Sequence, residues 1–363
     1  MQKNYLLALM AIAYLQTEAS LPAPPGERLW NIINCTGVIT TSAISKICRI
    51  ESQTDTLFAC APEAISQATT IDSAGNYCLT TEIDYLAISA HDVVVDLNGR
   101  TINGTVTIYP GQHHIQLHNG TIAPSAQDGL WLHGEPNASI YDILLNDLTI
   151  EHALLGICIH NAHSIAIKDS YIIDSDSIGI DISCADAIII RDCILDTAGN
   201  TCLQAHNTNT VSIDGCAATQ AAMGFHIIDS ACVALTDCVS EMHTMTAFTI
   251  ASPNVVIDNC IAAETPHGFS FAITNDNAIL NSLAQECSVA GFEFSNTNTN
   301  TAAGLAKQNV ALSNNAFGYK DNNSTMRYVA SIAILNGTDY SPASGAPFNP
   351  TITPGSYWRN TLG

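Results

Sequence analysis

Positive charge is what this sequence has least of. Its 363 residues hold 11 Lys and Arg against 33 Asp and Glu, a formal net charge of −22. Between Thr101 and Ala306 the only Lys or Arg residues are Lys168 and Arg191. A nucleic-acid binder needs a basic stripe to neutralise phosphates, so that role is excluded. A polyuronate would be repelled for the same reason. Aromatic residues make up only 6%, which leaves few rings for stacking on sugars. Long apolar runs are also missing. The run Tyr5–Leu15 falls well short of the roughly twenty residues that span a bilayer. Cysteine is plentiful, at 13, yet there is no Cys-x-x-Cys and no Cys/His spacing typical of zinc. No cofactor is expected.

What the chain does contain is a repeat. Ser170, Cys193, Cys216, Cys238, Cys260 and Ser282 recur every 22 or 23 residues. Fourteen places before each stand Gly156, Gly179, Cys202, Gly224, Thr246 and Gly268, and three before stand Ile167, Ile190, Ile213, Leu235, Ile257 and Ile279. A fixed period of this length marks a solenoid. Inside each unit the apolar residues alternate at spacing two, as in Gly156-Ile157-Cys158-Ile159, which is the period of a strand. Asn, Asp, Ser, Thr and Gly punctuate the strands as turn formers. One coil cannot offset the entropy of ordering its own backbone, whereas stacked coils share hydrogen bonds and cover each other's edges. The Cys/Ser row is expected to face inward. The row before it, Asp169, Asp192, Asp237, Asn259 and Asn281, is expected in the turns, bonding to neighbouring backbone.

This pattern resembles the right-handed parallel β-helix superfamily, which contains the pectate lyases, over about two-thirds of the chain. The expected fold is therefore all-β: a single-stranded right-handed parallel β-helix of about ten coils and three short sheets, with a short N-terminal helical cap. Residues 1–20 read as a secretory signal, with Lys3 ahead of the apolar run. Residues 21–85 form an N-terminal segment and cap, in which Thr54–Gln67 is expected to be an amphipathic helix over the open end of the stack. Residues 86–320 form the β-helix, and 321–363 a C-terminal cap and tail, with Val329–Leu335 closing the end. A short insertion falls at Gly134–Ser139, and a longer Asn/Thr-rich one, Ser295–Gln308, is expected to project as a loop. Cys35, Cys48, Cys60 and Cys78 stand where one or two disulfides would staple the cap.

The resemblance implies that any chemistry sits on the outer face of one sheet. There the repeat places Cys158, Asp181, Gln204, His226, Thr249, Ser270 and Glu293, flanked by His160, Ser183 and His206. A carbohydrate-processing site would use Asp181, with Asp174, Asp176 or Asp196 as second carboxylate, because glycoside hydrolysis needs a pair. His160, Gln204, His206 and His226 would line the groove. Glu241, Glu264, Glu286, His243 and His267 form a second candidate cluster, and outward histidines on adjacent coils are a candidate copper or zinc site. The superfamily's catalytic motifs are missing: there is no Asn-x-Asp, Asp-Asp, Gly-His-Gly or Arg-x-Lys, and Thr265-Pro266-His267 lacks the acid of an alginate-epimerase-like Asp-Pro-His. The reading is thus a secreted, periplasmic or cell-surface scaffold that meets a glycan surface. Its alternative is a polysaccharide hydrolase or lyase. No membrane span is expected after signal cleavage.

Overall fold

The computed structural model describes residues 62–273, 277–296, 304–322, 326–329 and 331–342. Ile, Val, Leu and Phe at alternate positions, separated by turn formers, produce short strands throughout these residues, and every pairing between strands is parallel. The chain divides into two units, one ending at His226 and the other beginning at Ile227.

In the unit ending at His226, a first sheet runs through Thr69–Ile71, Leu86–Ile88, Val106–Ile108, Leu130–His133, Leu155–His160, Ile178–Ser183 and Thr201–His206. Each coil sets its inward residues on those of the next: Leu130, Ile157, Ile180 and Leu203 form one column and Leu132, Ile159, Ile182 and Ala205 another. All eight have no exposed surface. Burying each of the larger side chains contributes roughly 1.5–3 kcal/mol. A second row, including Ala162–Lys168 and Asp186–Arg191, and a third, including Tyr171–Ile173 and Ile194–Asp196, complete the coils. These last two rows are one sheet, not two, because His113–Ile122 and Ile140–Glu151 run unbroken around the corner between them.

That corner explains the Asp/Asn row. Asn119, Asp147, Asp169 and Asp192 all occupy it with φ between 48° and 62°, a left-handed conformation that Asn and Asp tolerate better than other side-chain-bearing residues. The backbone N–H of Asp169 donates to Arg191 O at 3.1 Å, and that of Asp192 to Asp214 O at 3.0 Å. One bent residue thus turns the chain without breaking the ladder to the next coil. The next residue points inward. Ser170 Oγ donates to Lys168 O at 2.6 Å, and the Cys193 and Cys216 thiols repeat the contact to Arg191 O at 3.2 Å and Asp214 O at 3.4 Å.

The unit beginning at Ile227 is built likewise, from Thr246–Ala251, His267–Ile273, Ala290–Asn296, Phe317–Asn322 and Thr338–Pro342 in its first sheet. Here the inward columns are aromatic. Phe248, Phe269, Phe292 and Tyr319 stack with ring centroids 4.7–4.9 Å apart, close to the coil spacing of about 4.8 Å. Cys238 and Cys260 are fully buried, as the inward row requires. Asp237, Asn259 and Asn281 hold the left-handed corner, and the two asparagines donate to carboxylates of the preceding coil rather than to backbone: Asn259 to Asp237, and Asn281 Nδ2 to Oδ1 of Asp258, the residue before Asn259, at 2.7 Å.

Two expectations are corrected. Only the end of the helix expected over Thr54–Gln67 lies within the described residues, and there the chain is a strand, Glu63–Ile65, paired with Tyr77–Leu79. Ile65 is buried by that pairing, a non-local gain that outweighs helical propensity over so short a piece. The loop expected over Ser295–Gln308 is strand at both ends, since Gly304–Lys307 pairs with Asn277–Leu280 and with Met326–Val329. Ala306 fills an inward place with no exposed surface, which draws this segment into the stack. Gly134–Ser139 is a turn, closed by mutual backbone bonds of 3.1 and 3.0 Å between Glu135 and Ala138. Cys78 is a free thiol in the strand Gly75–Leu79. Its expected partners Cys35, Cys48 and Cys60, and the signal segment 1–20, lie outside the described residues.

Candidate functional site

The outer face of the first sheet in the unit ending at His226 collects polar and aromatic side chains that the alternation turns away from the core. Register aligns Thr107, Trp131, Cys158, Asp181 and Gln204 in one column. Two residues further along each strand, His133, His160, Ser183 and His206 form a second. His226 lies on the strand Met223–Ile228 of the same sheet. Of the expected outward row, Cys158, Asp181 and Gln204 stand in register here, and a tryptophan joins them. Trp131 stacks on His133 at 5.3 Å with planes 8° apart, and His133 on His160 at 4.6 Å. Nδ1 of His160 shares a 2.7 Å hydrogen bond with Ser183 Oγ.

Asp181 is the charged centre of this face. It is half-buried, and its Oδ1 is enclosed with no hydrogen-bond partner. Burial raises its carboxyl above the ordinary carboxylate range, and His206 and His160 pull the other way. His160 is lowered by burial first and by His133 and His206 next, and His226 is lowered by burial. Such imidazoles favour the neutral form. Cys158 lies beside Asp181, and burial, Asp181 and Asp128 push its thiol up to about 12. At neutral pH it is a protonated, unreactive thiol.

The candidate second carboxylates lie off the first sheet, on the third row or in the turn after it. Asp174 is exposed at a left-handed turn, 3.8 Å from His152. Asp196 accepts from Thr219 at the end of Ile194–Asp196, and Asp176 is exposed in the turn that follows Asp174. None of the three is among the groups that shift Asp181. The carboxylate reaching this face is Asp128, which enters the strand Leu130–His133. It receives the Leu155 N–H, has an enclosed Oδ1 without a partner, and is raised by burial. Trp131 and Asp128 were missed because the excursion at Gly134–Ser139 hides their register. Counting from Leu130/Leu132 to Ile157/Ile159 would have aligned Trp131 with Cys158.

The other cluster does not form. His243 turns inward to Ser240 Oγ at 2.9 Å, Glu264 and Glu286 stay exposed, and Nδ1 of His267 lies 2.8 Å from Oε2 of Glu293. Among the described residues no group of three or more His, Cys, Asp and Glu is arranged to hold a metal ion. No helix among them is long and apolar enough to cross a membrane.

These features define a parallel β-solenoid with a polar and aromatic outer face. The chain belongs to the right-handed β-helix family, whose model matches residues 88–239 and 184–338. Its structure is similar to that of a periplasmic alginate epimerase (9% identity, covering 76% of this chain and 76% of that one, TM-score 0.60). It is also similar to the N-terminal fragment of bacteriophage Phi29 gene product 12 (12% identity, 85% and 67%, TM-score 0.58). A third likeness is to the catalytic domain of a GH87 α-1,3-glucanase in complex with tetrasaccharides (11% identity, 81% and 64%, TM-score 0.50). At such identities the likeness is one of fold. No curated protein matches by sequence.

Proposed function

We propose that this protein is a secreted, periplasmic or cell-surface β-helix that binds a glycan along the outer face of its first sheet. The observation that carries the reading is the ring platform of Trp131 on His133, set in the same column as the half-buried carboxyl of Asp181. Rings offer apolar faces to sugar C–H groups, and a carboxylate accepts hydrogen bonds from sugar hydroxyls. Two coils at about 4.8 Å each set Trp131 and Asp181 roughly 10 Å apart along the column, within the span of a short oligosaccharide. Two of the similar structures, the alginate epimerase and the glucanase, are named for carbohydrate chemistry, which supports the ligand class.

A second reading, a polysaccharide hydrolase or lyase, is favoured by the raised carboxyl of Asp181 beside His160 and His206, since a proton-transferring acid is tuned in this direction. Against it, Asp174 and Asp196 lie off the first sheet that carries Asp181, whereas glycoside hydrolysis needs two carboxylates flanking one bond. Purified full-length protein tested on neutral and acidic polysaccharides, beside Asp181→Ala, separates the two. Binding without turnover, weakened by the substitution, supports the scaffold. Release of reducing ends or unsaturated products, abolished by the substitution, establishes the enzyme.

A further inference from the structure

The second row of strands has a dry outer face. Along it Val94, Gln116, Leu144, Ala166 and Ile189 stand in register as one outward column, while their chain neighbours, such as Ile165 and Ile167, fill the core. We infer that residues 39–50 lie along this column as an amphipathic helix, a strap over the outside of the solenoid. Nothing in this depends on glycan binding at the first sheet.

Val94, Leu144, Ala166 and Ile189 are only 1–6% exposed although they point away from the core. On the first sheet's outer column, by contrast, Trp131, Asp181 and Gln204 stay part-exposed. Oε1 of Gln116 is enclosed as well. Leu144, Ala166 and Ile189 form an apolar cluster of their own, apart from the inward columns. The sequence agrees. Val93-Val94-Val95, Ile143-Leu144-Leu145, Ile165-Ala166-Ile167 and Ile188-Ile189-Ile190 are unbroken apolar runs, the mark of parallel strands covered on both faces.

Residues 39–50 fit this column in pattern, length, position and charge. Ile39, Ala43, Ile44, Ile47, Cys48 and Ile50 recur at helical spacing and leave Thr41, Ser42, Ser45, Lys46 and Arg49 on the opposite side. A helix of this length is roughly 17 Å long, and the coil steps from Val94 to Ile189 cover about 19 Å. The described chain enters at Pro62, ahead of Glu63–Ile65, which lies in the same row two coils from Val94. Residues 51–61 extend to about 36 Å at most, ample to reach the column from there. The shortest path sets Lys46 and Arg49 at the Val94 end, where Asp92 and Asp96 flank the column, and away from Lys168 and Arg191. Opposite charges therefore meet.

The test is hydrogen–deuterium exchange, read by peptide, on the full chain at neutral pH, with Ile47→Asp, Ser45→Asp and Ala166→Glu beside wild type. A lone helix of this length is marginal in water, so protection of residues 39–50 has to come from docking. The expected result is exchange there at least about tenfold slower than in the urea-unfolded chain. Ala166→Glu and Ile47→Asp should each return it to near the unfolded rate, and Ser45→Asp should leave it within about twofold. Ile178–Ser183 and Thr201–His206 should stay protected in Ala166→Glu, which separates undocking from unfolding. Ile47→Asp leaves the solenoid untouched and should raise the binding of an apolar dye, because it bares the column. Exchange of residues 39–50 at the unfolded rate in wild type, protection that survives Ala166→Glu, or an equal loss in Ser45→Asp would overturn the strap. So would a dimer in light scattering that dissociates on Ala166→Glu, which would assign the column to a second copy.

Discussion

Lys320 Nζ donates to Oε1 of Glu293 at 2.6 Å, while the other oxygen of that carboxylate faces Nδ1 of His267 at 2.8 Å. The register places Glu293 between Ser270 and Lys320, so one side chain ties three successive coils. Its side chain is only 15% exposed, which keeps water from screening the pair.

Glu293→Gln is therefore expected to destabilise the unit beginning at Ile227 by roughly 1–3 kcal/mol, because it strands a half-buried ammonium. His267 and Lys320 hold the carboxyl at about 2, below the ordinary 4.5. The contribution is complete above pH 4.5 and lost as pH falls toward 2. Chemical denaturation across that window should show wild type and variant converging at the acid end. Parallel curves would remove the ion network from the explanation.

Histidines act at higher pH. Burial lowers His113, His160 and His226 from the ordinary 6.5, so the folded chain prefers them neutral and the unfolded chain binds more protons below that value. Their contribution is present above 6.5 and lost as pH falls. Thermal melts should weaken between about pH 7.5 and 5.5, and less so in His226→Asn. An equal loss in that variant would count against His226.

Cys216 is replaceable by the residue its row-mates suggest. Ser170 and Ser282 donate to the carbonyl two residues back as Cys216 does, so Cys216→Ser should cost under about 1 kcal/mol, whereas Cys216→Val gives up the contact. Native-state labelling with a maleimide should modify exposed Cys184 well before buried Cys193 or Cys216. Rapid labelling of either buried thiol would show that the inward row opens.

At Gly156 the requirement is closeness, not backbone angle. A Cβ there would stand 2.4 Å from Gly179 O and 2.5 Å from Ile172 Cγ2. Backbone cannot step aside cheaply, so Gly156→Ala should cost about 1–3 kcal/mol by denaturant midpoint. Gly99, with φ 65° and open space around it, should instead suffer from strain alone.

Much of this was legible because the columns are a matter of counting. The 22- or 23-residue period that sets Cys193 beside Cys216 also sets Cys158 beside Asp181 and Asp181 beside Gln204. Legibility failed where counting failed. Trp131 was hidden behind the turn at Gly134–Ser139. Glu63–Ile65 is too short to show a period, and its strand exists through Tyr77–Leu79. Asp174 and Asp196 look like partners for Asp181 by proximity in sequence, but the corner at Asp169 and the third row carry them off the first sheet.

The amino-acid order alone determined which residues share a column and which way each points, since alternation and a constant period are properties of the chain. Only the folded stack decided which carboxylates are stripped of water, which imidazoles stay neutral and which oxygen atoms go unanswered. Those depend on neighbours a full coil or more away, whose distance and packing no residue carries in its own name.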